Sequence, residues 1–578
     1  MNGWHGYVIR VDLSRSSAVK EKLSEELLVN YLGGRGLGAR LLRESCTLDP
    51  FAPDMPLVFA AGPLTGTAAP MSERISLCSR SPLTGTVMEN SLTGVFAAEF
   101  KRCGIDALVV SGKSERPVTL RIKDGSVAIE SAEHLWGRST AETFAGFVDS
   151  GSVAAIGPAG ENGVLFASVV LHGRNIEGRG GLGAVMGAKK LKAVVAEGGH
   201  GTSIADPQQF DQALQDVWRL FRASPFLCGP LGISRFGTPV LVDLMAQRRM
   251  TPAANFRSTV FEGAAAYAAT VLQSLFGAAV QRNGEQPGFG PMTGNGGLLP
   301  EYEALSHFGA LNMIDDPQVI VRANRQCNDL GMDPVSAAAV IACFGELRGR
   351  FVEAEELETV LADIAALNGD GAVLAQGARR LAASLGRPEL AMTVKSLELP
   401  AYDPRGAYGL ALGYCTSTRG GCHLQSYPLS HEILRKPVPT DRFSFSGKAR
   451  MNAVAEDAIA AIDSLKVGGL ALVAASLEEY AELLTAVTGV VYSPGRLLGI
   501  GRRIRLTERF YNCANGFSRS DDLLPIRFFS EPGSSGDGIN VPPVDRQRFE
   551  EELDKYYRIC GLNLQGCFDD SAFLEKQP

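Results

Sequence analysis

Glycine constrains this chain more than any other residue type. There are 65 glycines among 578 residues, about 11% against a usual value near 7%. They gather at 34–38, 157–163, 178–187, 288–297 and 495–501. The segments between these clusters are patterned rather than low in complexity. A glycine cluster makes a tight turn, or it lets backbone take positive φ and come close to a ligand. Roughly half of the clusters are read as turns and the others as loops shaped around something bound.

Charge and composition exclude several classes. Lys and Arg total 56 and Asp and Glu 63, a net charge of −7 with no basic block, which argues against a nucleic-acid binder. Hydrophobic residues make up 45% and charged residues 21%, a globular balance rather than a disordered one. No run of eighteen apolar residues is present, so a membrane span is not expected. The opening MNGWHGYVIRVDLS lacks the apolar core of a signal peptide. The eleven cysteines do not form a disulfide framework, so the expected compartment is a reducing cytoplasm.

At about 150 residues per domain, the length suggests three or four domains. The first two hundred residues read as strands and turns. Tyr7 to Leu13 is β-rich, 107–111 and 191–196 are short buried-strand runs, and Asp124-Gly125 marks a hairpin between 118–123 and 126–129. From about 205 the periodicity turns helical. Leu357, Val360, Leu361, Ile364 and Leu367 share one face, with a C-cap expected at Asn368-Gly369. Ser476 to Glu479 form a capping box, and Ser493-Pro494 opens a helix running toward Phe510. The expected layout is α+β: a β-rich domain over 1–205, a helical domain over 206–415 and a C-terminal helical domain over 416–578. No internal repeat of 20–50 residues is present.

The loops GPLTGT at Gly62, SPLTGT at Ser81 and GRGGLGAVMGAKK at Gly178 can turn successive N–H groups toward an anion, and Arg74 and Arg179 can pair with a phosphate. Each loop alone is a weak signal, and none has P-loop or Rossmann spacing.

Together, these segments resemble the tungsten-containing aldehyde ferredoxin oxidoreductase family over almost the whole chain. The match runs through GGRGLGARLL at Gly33, the three loops above, GPAGEN at Gly157 and PEYE at Pro300. It continues through CNDLGMD at Cys327, YDPRG at Tyr402, STRGGCHL at Ser417 and RIRLTERFYNCANGFSRSDDLLPIRF at Arg503. The resemblance implies an aldehyde ferredoxin oxidoreductase-like fold whose β-rich domain is a base under two pyranopterins. Their four dithiolene sulfurs would hold one tungsten, or molybdenum, so no protein ligand to the metal is needed, and Mg2+ would bridge the pterin phosphates. Arg74, Arg179, Gly180 and Gly181 match positions near the pterins, and the Mg2+ position maps to Asn90 or Ser91. Asn328, Gly331 and Asp333 match the first of two pterin-holding motifs. Asp463-Ser464-Leu465 matches the second, but Lys466, Val467 and Gly468 depart from its Gly-Leu-Cys ending. Glu303, after Tyr302, matches the active-site carboxylate, and His423 the active-site histidine; Tyr302 is counted with them as a catalytic candidate. Glu303 and His423 are suited to proton transfer beside a metal centre.

One departure matters most. The family's [4Fe-4S] ligands would fall on Asn283, Gln286, Gly290 and Gly468, and none of these is cysteine. No C-x2-C or C-x3-C occurs anywhere in the chain, and a cubane ordinarily needs four thiolates, so the cluster is expected to be absent. Pro287, Phe289 and Lys466 are candidates to fill its space, with the Lys466 ammonium reaching a pterin oxygen or phosphate. Cys422 reads as a small buried residue, and the spacing of Cys560 and Cys567 allows a metal or redox pair. Three functions then compete. The first is a tungstopterin oxidoreductase acting on an aldehyde or carboxylate, with another electron acceptor or a partner subunit. The second is a redox-neutral tungstopterin enzyme of hydratase or isomerase type. The third is a non-catalytic structural or cofactor-carrier subunit. A small-molecule substrate and a homodimer or hetero-oligomer are the expected partners.

Overall fold

The computed structural model describes residues 1–148, 151–173, 175–176, 178–277, 279–283, 286–292 and 299–569, with backbone alone for 279–283 and 286–292. Two mixed sheets form the N-terminal base. The first has the order β2-β1-β6-β3-β4-β5, from β1 (Tyr7–Asp12), β2 (Ser17–Lys22), β3 (Leu57–Ala61), β4 (Arg74–Arg80), β5 (Val87–Thr93) and β6 (Ala107–Ser111). The second has the order β10-β9-β11-β7-β8, from β7 (Val118–Lys123), β8 (Ser126–Ser131), β9 (Ser152–Ala155), β10 (Val170–Leu171) and β11 (Leu191–Glu197). β1 pairs with β6, and β7 with β11, in parallel; the other neighbours are antiparallel.

The apolar runs are explained by burial on two faces. Phe59, Leu77 and Leu108 of the first sheet share a core with Leu120 and Val194 of the second. The opposite face of the first sheet, with Val58, Cys78 and Val109, packs on Leu37 and Tyr511. The Asp124-Gly125 turn takes φ of 45° and 77°, as a two-residue hairpin of the expected kind requires.

The remainder is mainly helical, with two hairpins, β12 (Ala279–Asn283) with β13 (Gln286–Met292) and β14 (Thr393–Val394) with β15 (Leu397–Glu398). Ser476 caps the helix Leu477–Thr488 in a full capping box, and Ser493 caps the helix Pro494–Ala514. That long helix lies against the helix Lys448–Leu465. A Cβ at Gly501 would sit 1.8 Å from the Asp457 carbonyl oxygen, so Gly501 serves helix packing, whereas Gly495 and Gly499 face open space.

One expectation needs correction. The helix Leu357–Ala366 closes on Leu367 at φ 56° rather than at Asn368-Gly369. Asn368 makes the earlier stop by bonding Asp363 through its backbone N–H and its side chain, each at 2.9 Å. The boundary expected at 415 falls in the last turn of the helix Tyr408–Thr416. Cys560 Sγ accepts from Arg505 at 3.4 Å, whereas Cys567 Sγ donates to the Phe517 carbonyl at 3.4 Å. The cluster-matching positions 283, 286 and 290 lie on the β12–β13 hairpin, and their side chains, with those of Pro287 and Phe289, fall outside the described residues. Among the described residues no helix is long and apolar enough to cross a membrane.

Candidate active site

Between the base and the helices lies a cavity of about 250 Å³ that opens to solvent. Arg74, Ser91, Arg179, Tyr302, Glu303, Asp333, His423 and Asp463 all line it. Asn90, Gly180, Gly181, Asn328, Gly331 and Lys466 do not; they hold the residues that do.

The 178–187 loop positions Arg179. Asn90 on β5 receives the Arg179 N–H at 3.1 Å and donates to its carbonyl oxygen at 2.9 Å. The next residues take positive φ, Gly180 at 78° and Gly181 at 84°. A Cβ at Gly181 would lie 2.0 Å from the Leu165 carbonyl oxygen, so no side chain is tolerated where the loop enters the helix Leu182–Ala188. The Arg179 guanidinium then reaches Asp333 at 3.3 Å and the Glu398 carbonyl at 2.7 Å.

The segment around 328–333 is a helix-to-helix junction. Gly331, at φ 74°, ends the helix Pro317–Leu330, and Asp333 caps the helix Pro334–Arg348 by accepting from Val335 and Ser336 N–H, both at 3.1 Å. Asn328 works behind the wall. Its side-chain Nδ2 donates to Asn175 at 3.0 Å and its Oδ1 accepts from Ile176 N–H at 3.0 Å, holding Asn175 at the cavity surface.

The floor is a buried charge network. Lys466 ends the helix Lys448–Leu465 at φ 64°. Its ammonium does not enter the cavity, contrary to expectation. It donates to Ser76 and Ser91 hydroxyls at 2.9 Å each and to Glu89 at 3.1 Å. Burial alone would raise the Glu89 carboxyl, but Lys466 and Arg419 hold it down at about 2. Arg419 donates to the Glu89 carbonyl at 2.6 Å and to Cys422 Sγ at 3.2 Å. Asp463 pairs with Arg35 at 3.2 Å, and Arg35 grips both Glu508 oxygens at 2.7 Å.

Glu303 and His423 face each other across the cavity, with Glu303 Oε1 3.3 Å from His423 Nδ1. Neither atom has an aligned hydrogen-bond partner among the described residues. Burial pushes the Glu303 carboxyl up to about 7, against the pull of Arg179. Burial, aided by Arg179 and Arg419, lowers His423 to about 3. Near neutrality the histidine is therefore neutral while the carboxyl is half protonated, so the pair can take or give one proton. The rings of Tyr402 and Tyr427 flank His423 at centroid distances of 4.9 and 5.9 Å. The Tyr302 hydroxyl donates to the Ala401 carbonyl at 2.7 Å, so Tyr302 is wall rather than proton carrier.

This donor set fits an anionic, phosphate-bearing group. Arg74, Arg179 and Arg419 all face the cavity, and the buried Arg419 Nε has no aligned partner among the described residues. Among those residues, no three His, Cys, Asp or Glu side chains are grouped to hold a metal ion. Arg419, Glu89, Arg35 and Glu508 are the functional residues missing from the sequence reading. Arg419 lies inside the quoted STRGGCHL block, and Glu89 is a charge in an otherwise buried strand; both were legible signals.

Comparisons with known proteins follow the same lines. The family model described as aldehyde ferredoxin oxidoreductase, N-terminal domain, matches residues 8–198, and that described as domains 2 & 3 matches 212–575. A tungsten-containing aldehyde ferredoxin oxidoreductase of Pyrococcus furiosus is 38% identical, covering 98% of this chain and 97% of that protein. Its counterpart from Thermococcus kodakarensis is 37% identical over the same shares. The aliphatic sulfonate oxidoreductase, WOR-like subunit, of Pyrococcus furiosus is 26% identical over 98% and 96%. Among solved structures, the active site complex BamBC of benzoyl coenzyme A reductase, bound to 1,5-dienoyl-CoA, superposes with a TM-score of 0.80, 23% identity, and coverage of 99% and 97%. That likeness speaks for the fold.

Proposed function

The chain belongs to the aldehyde ferredoxin oxidoreductase family and is an oxidoreductase of that type, and we propose that it oxidises an aldehyde to a carboxylic acid, or runs the reverse, on a tungsten or molybdenum bis-pyranopterin without a [4Fe-4S] cluster of its own. The Glu303–His423 pair in the cavity carries this reading. Oxidation of an aldehyde takes up the oxygen of water and releases two electrons and two protons. The bound metal cofactor supplies the two-electron acceptor. Glu303 takes a proton as the hydrated aldehyde is oxidised, and neutral His423, 3.3 Å away, orients the carboxyl and relays the proton. Arg74, Arg179 and Arg419 would hold the cofactor's anionic groups, with Asp333 fixing the Arg179 fork. Of the two residues expected near Mg2+, Ser91 at the cavity surface would lie nearer it, since Asn90 is engaged with the Arg179 backbone.

The missing cluster cysteines favour a second reading, a redox-neutral tungstopterin enzyme of hydratase or isomerase type, because the family's electron exit lacks its ligands. A non-catalytic carrier would have no use for the buried, unpaired Glu303 and His423 atoms. Metal and pterin analysis of protein made with tungstate and molybdate, followed by aldehyde titration, separates the three. Metal reduction by aldehyde alone supports the oxidoreductase. Turnover without an acceptor supports the second reading, and a folded protein free of metal and pterin overturns both.

A further inference from the structure

Away from the cavity, the half-buried thiols of Cys513 and Cys567 lie beside one another, each donating to a backbone carbonyl next to the other's segment. Cys513 sits in the last turn of the helix Pro494–Ala514, and Cys567 in the segment after the helix Arg546–Cys560. That segment is folded back firmly. The Asn563 side chain accepts from Gln565 and Cys567 N–H at 3.0 and 3.1 Å, and Asn563 N–H donates to the Cys567 carbonyl at 2.9 Å. Arg509 Nε donates to the Gly566 carbonyl at 2.7 Å, and the Phe510 and Phe568 rings lie 5.7 Å apart. Cys513 Sγ is 3.7 Å from the Gly566 oxygen, and Cys567 Sγ is 3.4 Å from that of Phe517. The contact thus joins two well-held backbones.

The two thiols are unequal. The neighbouring Cys513, helped by Arg509, lowers Cys567 to about 7. Cys567 and burial in turn raise Cys513. Burial raises Cys46, Cys78, Cys103, Cys327, Cys343, Cys415 and Cys560 as well. Cys567 therefore combines thiolate character with partial exposure, the two features that make a cysteine reactive.

We propose that Cys513 and Cys567 form a reversible peroxide-responsive dithiol site, in which Cys567 is the attacking sulfur and Cys513 the resolving one. The Cys567 thiolate attacks one oxygen of hydrogen peroxide; an S–O bond forms, the O–O bond breaks, and hydroxide leaves and is protonated to water. The Cys513 sulfur then attacks the sulfenic sulfur; the S–S bond forms, the S–O bond breaks, and a second water leaves. Two thiols have lost two electrons and two protons, and one peroxide has become two waters. A small dithiol reverses the step by exchange. The bond would tie the terminal segment to the helix that carries Glu508, the partner of Arg35 beneath the cavity.

The test uses the full-length purified protein and hydrogen peroxide. A brief exposure should remove two of eleven titratable thiols, restored by dithiothreitol. A non-reducing tryptic digest should link the peptide 510–519 to 559–576, with fragmentation placing the bond on Cys567 and not on Cys560. In Cys513→Ser, Cys567 should instead accumulate as a sulfenic acid that dimedone traps. In the wild type, iodoacetamide should label Cys567 with a pH midpoint near 7 rather than ~8.5. The proposal is overturned if peroxide leaves both thiols free, if another pair is linked, or if wild-type Cys567 passes to sulfinic acid without forming the bond. The wild-type map needs no variant, so misfolding of Cys513→Ser leaves the test decisive.

Discussion

Replacing Lys466 with methionine tests the charge network beneath the cavity. The side chain is fully buried and its ammonium makes three hydrogen bonds, to Ser76, Ser91 and Glu89. Methionine keeps the bulk and the backbone strain at φ 64°, so the change isolates the charge. Glu89 is held from 4.5 down to about 2, and at about 1.4 kcal/mol per pKa unit that is worth about 3 kcal/mol of stability at neutral pH. Lys466 is its first attractive partner and Arg419 its second, so a large share of that sum goes with Lys466. Breaking a buried pair from one side costs about 3–5 kcal/mol in general, which agrees. A loss of about 3 kcal/mol lowers Tm by about 2–3 °C if the whole chain melts together, and by about 7 °C if the N-terminal base melts alone. The assay is scanning calorimetry of matched preparations with metal content measured. Because the Glu89 carboxyl is depressed, its contribution is present above about 4.5 and disappears as the pH falls toward about 2; the variant should show a flatter acid limb. Glu89→Gln should cost at least about 1 kcal/mol less in the Lys466→Met background than in the wild type. A Lys466→Met protein with unchanged Tm at pH 7, and additive double-mutant behaviour, would refute the reasoning.

Glu303→Gln and His423→Ala are expected to keep metal and pterin while lowering turnover about 10²–10⁴-fold. Wild-type kcat/KM should rise with a midpoint near pH 7 as Glu303 loses its proton, and the Gln variant should lose that limb; both variants at wild-type rates would remove the assigned roles. Gly181→Ala, which presses a methyl to within 2.0 Å of a backbone oxygen at φ 84°, should give protein that is aggregated or free of pterin. Iron and acid-labile sulfide should be well below one per chain in anaerobically purified protein, and about four irons with a cubane EPR signal would overturn the cluster-free reading.

The sequence was most legible where local chemistry decides the outcome. The Asp124-Gly125 turn, the Ser476 capping box and the Ser493-Pro494 helix start all depend on a few adjacent residues, and each formed as expected. The candidate site was legible only by resemblance, since Glu303 and His423 are 120 positions apart in the numbering and no spacing rule joins them. Lys466 shows the limit best. Its charge was visible and its burial plausible, but the direction of the ammonium depends on Ser76, Glu89 and Ser91, which belong to two strands of another part of the chain. The same is true of Cys513 and Cys567, which come together at a helix end although 54 positions separate them.

Arg35 also fixes an order of events. It is 1% exposed, and its guanidinium is neutralised by Glu508 and Asp463, which follow it by 473 and 428 residues. Synthesis at about 5–20 residues per second separates Arg35 from Glu508 by about 25–95 s. Until Asp463 is made, about 21–86 s after Arg35, the nascent base carries a cation with neither of these two counter-ions, and contacts of such long separation close late. The strands come first and the wall bearing Asp463 and Glu508 comes last. Until that wall is made, the future cavity lacks the side that Ile459, Asp463 and Leu470 supply.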